Sequence, residues 1–79
     1  MITKNDQLIL KALNRGSGSF RKKIEKDTKM QRTSFHISLK RLISEGFARV
    51  EKVEGRGNPT KLYITEDGKI MANAFKEIA

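Results

Sequence analysis

Apolar residues at Phe35, Leu39, Leu42 and Ile43 recur at helical spacing and predict a helix within Thr28–Gly46, with one buried stripe and Gly46 as its stop. Upstream, Leu8, Ile9, Leu10, Ala12 and Leu13 spread over more than half the circumference of a first helix, capped by Asn5 or Asp6 and ending near Asn14. The segment Arg15–Ser19 reads as a turn ending in a serine N-cap. A second helix then runs from Phe20 to about Lys26, burying Phe20 and Ile24. After Gly46 the period changes. Phe47–Glu54 and Thr60–Thr65 carry Val50, Val53, Leu62, Tyr63 and Ile64 in partial alternation, as half-buried strands do, and Gly55–Pro59 between them has hairpin-tip chemistry. Thr65 is placed to cap a last helix, with Glu66 and Asp67 at its positive end. Along that helix Ile70, Met71, Ala74, Phe75 and Ile78 form one apolar stripe.

These elements predict a mainly helical α+β fold, with three helices, a two-stranded hairpin and a C-terminal helix. At 79 residues the expectation is a single domain over 1–79, in which the terminal helix 66–79 serves dimerisation. The apolar stripe of that helix and the apolar first helix both need covering, so a homodimer is expected. With no cysteine there is no disulfide framework, thiol nucleophile or cysteine zinc site. No apolar run reaches 18 residues and MITKNDQ lacks a signal-peptide core, so a soluble, cytoplasmic protein without a membrane partner is expected.

Charge narrows the function. The net charge is +8, and residues 1–65 hold 15 of the 17 basic residues and six of the nine acidic ones, a net +9; the tail 66–79 is net −1. An electropositive body of this kind is suited to a polyanion. Within it, Thr33, Ile37, Lys40, Arg41 and Ser44 fall roughly opposite Phe35 and Leu42 on the third helix, and none is acidic. Such a face fits a DNA major groove, where Lys and Arg meet phosphate or guanine and a small apolar group meets a thymine methyl. Arg21, Lys22, Lys23 and Lys26 on the second helix are suited to phosphate contact, and Arg56 at the hairpin tip to a minor groove. Lys61 on the following strand is a further backbone candidate. Two helices joined by a short turn, the second exposing a basic face, match a helix-turn-helix.

Enzymatic chemistry finds no support. His36 is the sole histidine, the serines have no base and acid arranged nearby, and the scattered carboxylates suggest neither an acid/base pair nor a metal cluster. Gly55 and Gly57 are followed by no Gly-Lys-Ser/Thr ending of a phosphate loop. No cofactor or small-molecule ligand is expected.

Three motifs in order carry a resemblance. Phe35, Leu39 and Leu42 followed by Glu45-Gly46-Phe47, then Gly55-Arg56-Gly57-Asn58-Pro59, then Leu62, Ile64, Thr65 and Gly68, resemble the recognition-helix ending, wing tip and strand-to-helix junction of winged helix-turn-helix proteins. Small MarR-like and related archaeal, bacterial and viral transcriptional regulators look most similar. The resemblance implies a dimer reading double-stranded DNA at a roughly palindromic operator. Carried onto this sequence, it gives Arg32, Thr33, His36, Ile37, Lys40 and Arg41 as recognition candidates and Ser34 as a phosphate contact. The chain departs from the pattern at Lys29, where many relatives have Gly in the turn, and at Gln31, in place of a Ser or Thr cap. His36 and Ile37 stand where relatives often carry a small polar residue and Arg. The alternative function is a winged-helix interaction module of a transcription, replication or RNA-associated assembly.

Overall fold

The computed structural model describes residues 2–57 and 59–78, with side chains given through Ala74. The chain forms helix α1 (Lys4–Arg15), strand β1 (Ser19–Phe20), helices α2 (Arg21–Thr28) and α3 (Arg32–Ser44), strands β2 (Ala48–Lys52) and β3 (Thr60–Ile64), and helix α4 (Glu66–Ile78). All the expected elements are present, with one addition. The two-residue β1 pairs antiparallel with β3, so the sheet is three-stranded with order β1-β3-β2.

Helix α1 sits at the centre of the packing. Ile9, Leu10 and Leu13 are fully buried against Ile24 of α2, Phe35, Leu39 and Leu42 of α3, Leu62 and Ile64 of β3, and Ala72 of α4. Helices α1 and α3 thus lend whole stripes, and α2 and α4 single residues, to a shared apolar centre, the main stabilising term available to a chain this small. The cap of α1 differs from expectation. Thr3 supplies it, and Thr3 and Asp6 form a capping box: the Asp6 amide donates to Thr3 Oγ1 at 3.2 Å and the Thr3 amide to Asp6 Oδ2 at 3.1 Å. Asn5 and Asp6 lie inside the helix.

The loop after α1 is fastened to the sheet and does not present a serine cap. The Ile64 amide donates to Ser17 Oγ (3.1 Å) and the Gly18 amide to the Leu62 carbonyl (2.7 Å). This pairing draws Phe20 into β1, at the N-cap position of α2, without any side-chain cap. Phe20 is therefore 45% exposed, against the expectation that it is buried, whereas Ile24 is buried as expected. In α3 the expected stripe is confirmed for Phe35, Leu39 and Leu42, with Ile43 half-buried, and Ser38 is buried as well.

The helix-to-hairpin junction explains two glycines. Gly46, at φ 81°, takes the left-handed conformation that ends α3. Gly68 in α4 has no room for a side chain, because a Cβ there would run into the Phe47 carbonyl and stand 2.7 Å from Ile64 Cγ1. Thr65 ties the same corner together. Its hydroxyl donates to the Gly46 carbonyl at 2.6 Å and accepts from the Gly68 amide at 3.1 Å, capping α4 as expected.

Strand β2 leaves the helical layer after Ala48, so Val50, although paired with buried Leu62, is 43% exposed. The apolar stripe of α4 is also redrawn. Ala72 and Gly68 face the core, Met71 and Ala74 are half-buried, and Ile70 is 67% exposed. The side chains of Phe75 and Ile78, also assigned to that stripe, lie outside the described residues. Among the described residues no helix is long and apolar enough to cross a membrane.

Candidate nucleic-acid interface

Helices α2 and α3 are joined by Lys29–Gln31. The turn is made by Lys29 in the left-handed conformation, φ 57° and ψ 25°, where glycine is the residue without steric cost. Its amide donates to the Lys26 carbonyl at 3.3 Å, and the following Met30 packs on the core. Gln31 occupies the N-cap of α3 with no side-chain cap. The amides of the first turn of α3 therefore have no capping side chain, at a helix end whose dipole favours an anion.

The outward row of α3 consists of Arg32, Thr33, His36, Ile37 and Lys40, spaced by three and four residues and all exposed. Ile37 is 56% exposed, an apolar side chain held in water amid cations. Ser34 is half-buried at the edge of this row. Arg32 approaches Glu25 only at 4.0 Å and remains largely solvated, so this pair contributes little.

Arg41 departs from the expectation that it points away from the core. Its Nη1 donates to Asp6 Oδ2 at 3.1 Å and to Oδ1 at 3.3 Å, and approaches Thr3 Oγ1 at 3.5 Å. Asp6 is fully buried, and its charge is matched by this guanidinium and by the α1 cap. Burial alone would push the Asp6 carboxyl up. Hydrogen bonds from the Thr3 amide, the Ser38 hydroxyl, Arg41 and the Thr3 side chain outweigh it and hold the carboxyl below its usual value. Sequence reasoning placed Asp6 at a helix cap and missed this partnership. The available signal was Thr3-x-x-Asp6, a capping-box spacing that buries the acid at the third helical position.

Arg21 connects the elements. Its Nη1 lies 3.0 Å from His36 Nε2, joining the start of α2 to the middle of α3. Arg21, Lys22 and Lys23 also share a groove with Arg56 of the hairpin. The α3 row, the α2 start and the hairpin tip therefore form one continuous basic surface. Lys61 lies beside it on β3, its Nζ 5.4 Å from the centre of the Phe20 ring, and Arg49 stacks on Tyr63 at 4.4 Å. Among the described residues no group of three acidic, histidine or cysteine side chains is placed to hold a metal.

The sequence matches no family model and no curated protein. Solved structures do match it. The PcaV transcriptional regulator from Streptomyces coelicolor superposes with a TM-score of 0.89 at 17% identity, covering 96% of this chain and 56% of that one. This chain has the winged-helix fold of MarR-type regulators. The transcriptional regulator SlyA gives a TM-score of 0.84 at 25% identity over 96% of this chain and 54% of its own. Streptococcus pneumoniae FabT, solved in complex with DNA, gives 0.83 at 14% identity over 98% of this chain and 54% of its own. This winged helix spans about half the length of the solved structures it matches. In winged-helix terms, α2 and α3 are the helix-turn-helix and β2–β3 the wing.

Proposed function

We propose that the chain is a sequence-specific double-stranded DNA-binding regulator, with α3 in the major groove and the wing at the minor groove. The observation that carries this reading is the continuity of its basic surface: Arg21 touches His36 on one side and shares a groove with Arg56 on the other. Arg32, Thr33, His36, Ile37 and Lys40 face the bases, with Ser34, Arg21, Lys22, Lys23 and Lys61 toward phosphates. Arg41 acts from behind, holding α3 against α1. The resemblance to FabT, which has been solved on DNA, supports the reading.

The working unit is a homodimer in which α4 supplies the contact, through the stripe Ile70, Met71, Ala74, Phe75 and Ile78 expected from the sequence. Exposed Ile70 supports it. Two α3 helices then enter successive major grooves about 34 Å apart. The test is selection of bound duplexes from random DNA at near-physiological salt, with the solution mass measured alongside. Enrichment of a palindrome by a species of twice the chain mass is expected. Unenriched, salt-sensitive binding by a monomer would overturn both parts.

A further inference from the structure

The start of α2 and the wing enclose a groove of about 500 Å³, open to solvent along one side. Four cations, Arg21, Lys22, Lys23 and Arg56, border it, and among the described residues no carboxylate lines it. Its apolar surface comes from Phe20 and Pro59. Phe20 is 45% exposed, and the Lys61 ammonium lies 5.4 Å from the centre of its ring. Its position is fixed from both sides, because β1 pairs Phe20 with Lys61 while the next residue begins α2.

An exposed aromatic face within a cationic rim asks for a ligand that is flat and apolar in one part and anionic in the next. A nucleotide has that composition. The backbone of an intact duplex offers phosphate and sugar but keeps its bases stacked inside, and would leave the ring without a partner. A free mononucleotide would need most of its surface enclosed, which an open groove does not provide. A single strand meets both requirements, since each unstacked base can lie on an aromatic ring and successive phosphates add contacts along the groove.

We infer that this groove binds single-stranded DNA, with a base stacked on Phe20 and the adjoining phosphates on Arg21, Lys22 and Arg56. Lys61 leaves the ring for a phosphate when the base arrives. The choice of DNA over RNA rests on the duplex reading above, because the groove continues the same surface; the stacking itself does not depend on it.

The protein contains no tryptophan, so Phe20→Trp places a single indole in the groove. Titrating the full chain with an oligothymidylate of about 12 nucleotides should quench that fluorescence and bind with steep salt dependence. Phe20→Leu, which keeps apolar bulk at an exposed position but removes the π face, should weaken strand binding by about fivefold or more. Its affinity for duplex DNA should stay within about twofold of the parent, as expected if the ring meets only unstacked bases. An unquenched indole, equal strand affinity of Phe20→Leu and parent, or equal losses on strand and duplex would each overturn the inference. Binding of oligouridylate with no binding of oligothymidylate would overturn the assignment to DNA. Quenching by the strand in a protein with no preferred duplex sequence would uphold this site while removing the regulator reading.

Discussion

Arg41 and Asp6, 35 positions apart in sequence, meet at 3.1 Å, and their contact fixes α3 against the first turn of α1. A residue selected by helical geometry as a reader of DNA is thereby engaged inside the protein. Replacing Arg41 with Ala leaves the buried Asp6 charge unmatched. Removing one partner of a buried pair costs about 3–5 kcal/mol, and solvent screening of the half-exposed guanidinium reduces this to about 1–3 kcal/mol. Urea unfolding should show the loss directly. DNA affinity of this variant should fall in proportion to the unfolded fraction, with the preferred and random sequences affected alike.

The same carboxylate sets an acid sensitivity. Its carboxyl titrates below the ordinary carboxylate value, so its contribution to stability is present above about pH 5 and is lost as the pH falls through the depressed folded value. Asp6→Asn should be less stable than the parent at neutral pH. Its melting temperature should also change less between about pH 5 and pH 3, which thermal scans across that range would check.

Lys29 carries the cost of a left-handed backbone with a side chain attached. Lys29→Gly should stabilise the protein by about 1 kcal/mol, since the steric penalty of about 1–2 kcal/mol exceeds the added freedom of glycine in the unfolded chain. A rise of about 4–8 °C in melting temperature is the expected reading for a domain of this size.

Gly68→Ala acts in the opposite sense despite the better helix propensity of alanine. The new methyl would meet the Phe47 carbonyl and Ile64, and relieving that overlap separates α4 from the start of β2. A loss of about 1–3 kcal/mol is expected from overpacking, visible as a lower urea midpoint.

Arg56 stands exposed at the wing tip, and among the described residues no carboxylate pairs with it. Arg56→Ala should leave the melting temperature unchanged while weakening duplex binding. The slope of log affinity against log salt should become shallower by about one unit, checked by anisotropy titrations at several salt concentrations.

The sequence made most of this architecture legible because its signals are local. The stripe Phe35, Leu39 and Leu42, the tip around Gly55–Pro59 and the Thr65 cap each depend on residues a few positions apart. What escaped depends on distant partners. Phe20 is exposed because Gly18 and Ser19 pair with a strand more than 40 residues later, overriding its hydrophobicity. Arg41 turns inward because Asp6 waits at the start of α1, which helical periodicity alone cannot register. Thr33, Ile37, Lys40 and Ser44 are exposed as helical geometry predicts, since among the described residues no remote carboxylate draws them inward.

Strand β2 ends the sheet, so among the described residues one side of its backbone has no strand partner. An open row of amides and carbonyls is a template on which another extended chain can grow. Arg49, Glu51 and Lys52 occupy three of its five positions and are all exposed, surrounding that row with charges that a flat apolar stack would have to desolvate. Those charges make the edge of the projecting hairpin a poor seed for fibrillar self-addition.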